Sequence, residues 1–137
     1  KKKFVKRDDI KHDDEVVRKI QSIDCSRGIA HLHRADVLHR DIAARNCLLD
    51  NHGRVHVTDF GLSVLTHAAA VNGSWLHSER EWLPLKHMAP ESMEAGTMLS
   101  SKKTETFMLG CLLWEIWTNQ KCWSGIHAKV RVLKMMF

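Results

Sequence analysis

Between positions 39 and 61, residues far apart in the chain are brought together if one tight turn forms. Residues 47–50 and 54–58 are two short segments split by Asn51-His52-Gly53, and Asn with Gly between two apolar runs predicts a hairpin. In an antiparallel hairpin the residue before the first strand lies beside the residue after the second. Asn46 precedes the first segment and Asp59 follows the second. An amide oxygen and a carboxylate are therefore expected at one open end, with Asp41 just upstream of them.

Oxygen ligands of that kind suit Mg²⁺, which takes a few protein oxygens together with phosphates and water. A carboxylate at Asp41 is then placed to orient a hydroxyl toward a γ-phosphate. Phosphoryl transfer asks little covalent chemistry of the protein beyond positioning and charge neutralisation. A His-Arg-Asp or an Asp-Phe-Gly alone arises by chance and reads as an Asp-capped turn. His39-Arg40-Asp41 and Asp59-Phe60-Gly61 on either side of a hairpin, with Ala89-Pro90-Glu91 after them, are hard to obtain by accident.

The flanks read as helix. Asp13 or Asp14 can cap a helix running to about His33, with Val16, Val17, Ile20, Ile23, Ile29 and Leu32 as its apolar face. Gly28 either weakens this helix or lets another backbone come close. A loop is expected over 34–46. From about 61 to 99 the periodicity fails, and both prolines fall there. Ser100 or Ser101 then caps a helix whose residues 107–117 are apolar nearly all round, interrupted by Gly110 and Glu115, which predicts a place at the centre of a core. A last helical run is expected over 128–137.

Composition narrows the alternatives. The chain has 137 residues, 44% hydrophobic and 27% charged, globular values that exclude long disorder. A net charge of +5, with Lys1, Lys2, Lys3, Lys6, Arg7 and Lys11 near the start, is read as a solvated basic surface and not a nucleic-acid arm. The ten histidines show no ligand spacing, and Cys25, Cys47, Cys111 and Cys122 form no Cys-x-x-Cys. They are expected as idle thiols in a reducing compartment. No apolar run is long enough to span a membrane, so a soluble, cytoplasmic chain is expected.

The three clusters, in this order, resemble the catalytic loop, magnesium loop and activation-segment end of protein kinases. Ala43-Ala44-Arg45 and the segment 83–92 are similar to the tyrosine-kinase versions, and Leu112-Leu113-Trp114-Glu115-Ile116 resembles that family's central helix. Residues 41–48 carry a closer likeness to the Fes/Fer type of non-receptor kinase. The resemblance implies a protein kinase-like α+β fold, residues 1–137 forming part of it: the mainly helical large lobe from helix E through the catalytic loop, magnesium loop, activation segment and helix F to the start of helix G. It implies that Asp41 is the catalytic base and that Arg45 supports it. Asn46 and Asp59 would hold Mg²⁺, and Leu48 would floor the adenine pocket of ATP. The implied partners are ATP and a protein or peptide bearing tyrosine, with no nucleic acid.

Departures from the pattern set further expectations. No Gly-x-Gly-x-x-Gly and no lysine-bearing strand occur, so the small lobe over ATP is absent from this stretch and the chain alone is expected to be inactive. Neither terminus reads as a domain boundary. The arginine that pairs with Glu91 in the family is also absent, which predicts a costly buried carboxylate. There is no tyrosine, and Val64 replaces an arginine, so phosphotyrosine switching within this segment is expected to be lost. His87 stands where the family has Trp. Glu105 stands for the Asp that fastens the catalytic loop, and its extra methylene is expected to misplace those bonds. Cys122-Trp123-Ser124-Gly125 replaces a proline-rich turn. Two readings follow, a protein tyrosine kinase and a catalytically decayed kinase-like interaction module. A metal- or nucleic-acid-binding protein is a remote third.

Overall fold

The computed structural model describes residues 15–66, 84–94 and 99–124. The expected caps Asp13 and Asp14 and the helical run over 128–137 lie outside these. Helix α1 spans Glu15–Arg34, ending one residue beyond its expected end. Its buried residues are Gln21, Asp24, Cys25 and Ile29, whereas Val16, Ile20 and Ile23 are 60%, 42% and 48% exposed. The expected apolar face is thus corrected. At 3.6 residues per turn, 16-20-23 and 25-29-32 form two stripes on opposite sides of the helix, and only the second turns inward. Gly28 sits on the inward side, where an added Cβ would lie 3.2 Å from Val57 Cγ2. Close approach, and not a local weakening, is what this glycine provides.

Strands β1 (Val37–Leu38), β2 (Cys47–Leu49) and β3 (Val55–Val57) follow, then β4 (Val64–Leu65). A 3-10 turn at Ala44–Asn46 leads into β2. β2 and β3 form the expected hairpin, antiparallel with Cys47 opposite Val57 and Leu49 opposite Val55. Gly53 takes φ +75 at its tip, while Asp50 Oδ1 accepts from the His52 and Arg54 amides at 2.8 and 2.9 Å. The second sheet was not expected: Val37 pairs with Leu65 and Leu38 with Val64, antiparallel. It closes the base of the whole stretch from 37 to 65.

Helix α2 (Pro90–Glu94) lies inside the stretch read as irregular, and begins on a proline as first helical turns allow. Helix α3 spans Lys102–Thr118. Ser101 is its cap, in a reciprocal capping box with Thr104, and Asn119 ends it with φ 54. One face of α3 is buried, through Thr104, Glu105, Met108, Cys111, Leu112 and Glu115. Trp114 and Trp117 are 42% and 40% exposed, so among the described residues the helix is not enclosed all round.

The core gathers Cys25, Ile29, Ile42, Met88, Met108 and Leu112. Around it, Asp24 is buried and receives Arg54 Nε and Nη2 at 2.8 and 2.5 Å, plus the Val55 amide at 3.1 Å. These bonds hold its carboxyl below the ordinary value, the Arg54 hydrogen bond most of all. They clamp the hairpin to α1. The architecture is α+β, as expected. No helix among the described residues is long and apolar enough to cross a membrane.

Candidate active site

The register of the hairpin decides what meets at its open end. Thr58 N donates to Asn46 O at 2.8 Å and Thr58 Oγ1 to the same oxygen at 3.1 Å. Asn46 therefore faces Thr58, and Asp59 lies one residue beyond it, a correction by one position to the expected pairing. The second strand stops at Val57 because Asp59 adopts φ +64, left-handed backbone that Asp tolerates better than most residues. Its side chain is exposed and takes the Gly61 amide at 3.4 Å.

Asp41, Arg45 and Asn46 are joined directly. Asn46 Nδ2 donates to Asp41 Oδ2 and to Asp41 O, both at 2.7 Å. Arg45 Nη2 donates to Asp41 Oδ1. The 3-10 turn makes this possible by folding 44–46 back toward 41. Asp41 keeps a charge-assisted partner on each oxygen, which fixes its carboxylate. Leu48 lies mid-strand in β2, half-buried opposite His56.

Three buried side chains hold this loop, and of these Glu115 was not expected. His39 is fully buried; its Nε2 donates to Thr58 O at 2.9 Å, and its Nδ1 accepts the Asp41 amide at 3.3 Å. These partners set the proton on Nε2. Arg40 has φ +69, and its amide donates to Glu105 Oε1 at 2.5 Å. The other Glu105 oxygen meets His33 Nε2 at 2.7 Å. The longer side chain thus keeps a bond to the loop and reaches a histidine on α1 as well, so the expected misplacement is corrected. Glu115 Oε2 accepts the Ala44 amide at 2.9 Å and Oε1 the Cys122 amide at 3.1 Å. Burial pushes the Glu115 carboxyl up, but His87 and these two amides more than offset it and hold it at about 2. A charged residue inside an apolar helical run was the signal that could have found it.

The donor set fits a magnesium ion. Among the described residues the Asn46 side chain bonds through Nδ2, which leaves its Oδ1 for a cation, and Asp59 adds a carboxylate. One amide oxygen and one carboxylate suit a hard cation that keeps phosphate and water ligands. No group of three His, Cys, Asp or Glu among the described residues offers an all-protein cage.

Elsewhere the expectations divide. Glu91 is exposed, so the cost of a buried unpaired carboxylate does not arise. Val64 is a strand residue paired with Leu38. The four cysteines are free thiols; the neighbouring Cys47 thiol, and then burial, push Cys25 far above the ordinary range.

Comparison with known proteins gives concordant likenesses. A family model described as protein tyrosine and serine/threonine kinase matches residues 2–136. Spermatocyte protein spe-8 of Caenorhabditis elegans is 42% identical over 96 residues, covering 69% of this chain and 17% of that protein. Inactive tyrosine-protein kinase 7 of Homo sapiens is 34% identical over 106 residues, 77% of this chain and 9% of that one. Fer-related kinase 1 of Caenorhabditis elegans is 39% identical over 93 residues, 67% of this chain and 22% of its own length. The chain thus spans 22% or less of each of these relatives.

Proposed function

The chain belongs to the protein tyrosine and serine/threonine kinase family, and on that premise we propose that its hairpin end serves ATP- and Mg²⁺-dependent transfer of a γ-phosphoryl group to a tyrosine hydroxyl of a protein substrate. The observation that carries this reading is the Asp41 carboxylate, gripped by Arg45 and Asn46 beside the turn that bears Asp59. In this reading Asp41 accepts the hydroxyl proton and Arg45 keeps it aimed. Asn46 and Asp59 hold the cation, whose charge offsets that of the phosphates. Leu48 lies under the adenine. Tyrosine as acceptor rests on Ala43-Ala44-Arg45, and a Fes/Fer-like, cytoplasmic setting is part of the proposal.

A second reading, a kinase-like interaction module without turnover, is favoured by the absence of tyrosine and by Val64 and His87 at altered positions. A relative whose own name calls it inactive gives it added weight. Melting a longer protein that carries the small lobe, with and without millimolar Mg·ATP, tests the magnesium site. Nucleotide binding raises its melting temperature by about 2 °C or more, and Asp59→Asn abolishes the rise. No rise with that longer protein removes the magnesium assignment and favours the module. In an active, longer protein, Asp41→Asn lowers turnover by orders of magnitude while nucleotide binding persists.

A further inference from the structure

His87 occupies an unusual position for a polar ring. It lies just ahead of α2 with its side chain 7% exposed, and Nε2 stands 3.4 Å from Glu115 Oε1, whose side chain is 4% exposed. Nε2 is enclosed by protein and makes no aligned hydrogen bond; the carboxylate is the acceptor it faces. That same carboxylate receives the Ala44 amide, inside the loop between Asp41 and Asn46, and the Cys122 amide beyond α3. Three segments distant in sequence converge on two oxygens.

The chemistry of that convergence is asymmetric. The amides are fixed donors, so a carboxylate shared among them moves if its third partner moves. A lone pair on Nε2 would face a negative oxygen in a buried site, which is strongly unfavourable. The ring must therefore carry its proton on Nε2. Residues 84–88, which hold the ring, form a turn closed by the amides of His87 and Met88 donating to Pro84 O at 2.7 and 3.2 Å, and Met88, 1% exposed, anchors that turn in the core. A shift in this segment is transmitted to Glu115, and from there to the Ala44 peptide.

We propose that His87 is a positioning residue of the phosphoryl-transfer site, linking the segment at 84–88 to the catalytic loop through the shared carboxylate of Glu115. The assignment of a role in transfer rests on the kinase reading; the linkage itself rests on the contacts. Gln places its amide nitrogen where Nε2 lies, and Asn places it where Nδ1 lies. Hydrogen exchange read by NMR on the whole chain then gives the test. His87→Asn speeds exchange at the Ala44 and Cys122 amides by about tenfold or more, the weight of one hydrogen bond to a charged group, and His87→Gln restores rates close to native. Unchanged rates in His87→Asn, or equal disturbance by Gln and Asn, overturn the linkage. Should His87→Asn not fold, ring ¹⁵N spectra of the native chain decide: a proton on Nε2 supports the proposal and one on Nδ1 alone overturns it. Melting a longer protein that carries the small lobe with Mg·ATP keeps the two ideas apart. No nucleotide effect there, with the exchange pattern intact, overturns the transfer reading and not the linkage.

Discussion

Glu105 shows how a single methylene is absorbed. Its two oxygens serve the Arg40 amide and His33 Nε2, partners 65 and 72 residues away, so nothing local in the sequence announced them. The bond between Asp41 and Asn46, and the place of Asp59 just past the hairpin, were legible because they depend on short-range order around one turn. Of the carboxylates that hold the loop, Glu105 was indicated by the family resemblance alone, and Glu115 was not foreseen, since each is bonded across the fold. Shortening Glu105 to Asp restores the family's residue type, yet it should destabilise the chain by about 1–3 kcal/mol, because one buried partner loses its acceptor. Urea unfolding of Glu105→Asp measures this, and equal or greater stability would contradict it. Glu115 has a pH signature. Its carboxyl is held at about 2 against an ordinary 4.5, a depressed value, so its stabilisation is full above about 4.5 and disappears as pH falls toward 2. The amount is roughly 3 kcal/mol. Glu115→Gln should lower stability at neutral pH and flatten the acid limb of the denaturation curve between those values.

At the scale of elements, the hairpin and α3 could be read in advance because turn residues and capping hydroxyls act within a few positions. Ser101 Oγ accepts the Thr104 amide at 3.2 Å, and the Ser101 amide donates to Thr104 Oγ1 at 2.9 Å. Ser101→Ala should therefore cost about 1 kcal/mol, seen as a lower melting temperature by circular dichroism. β1 and β4 escaped because two-residue strands carry no alternation to detect, and their partnership depends on where the hairpin returns the chain. The inward face of α1 was misjudged for a related reason. Gln21 and Asp24 are buried polar residues, and Asp24 is tolerated inside only because Arg54 and the Val55 amide arrive from the hairpin.

Among the described residues, several large apolar side chains lie on the surface. Val16, Ile20 and Ile23 line the outside of α1, beside a hollow shared with Arg27, His52 and Arg54, and Trp114 and Trp117 lie open on α3. With a net charge of +5 opposing association at low salt, the chain should self-associate increasingly as salt screens that repulsion. Sedimentation in about 0.5 M salt tests this: Ile20→Lys combined with Ile23→Lys should leave it monomeric. A native chain that is monomeric under the same conditions would sink the idea. The two pairs between β1 and β4 have a different consequence. They act as a drawstring around the stretch that carries Asp41, Arg45, Asn46 and Asp59, so the spacing of those four groups is set inside the purse and is insulated from insertions made on either side of its neck.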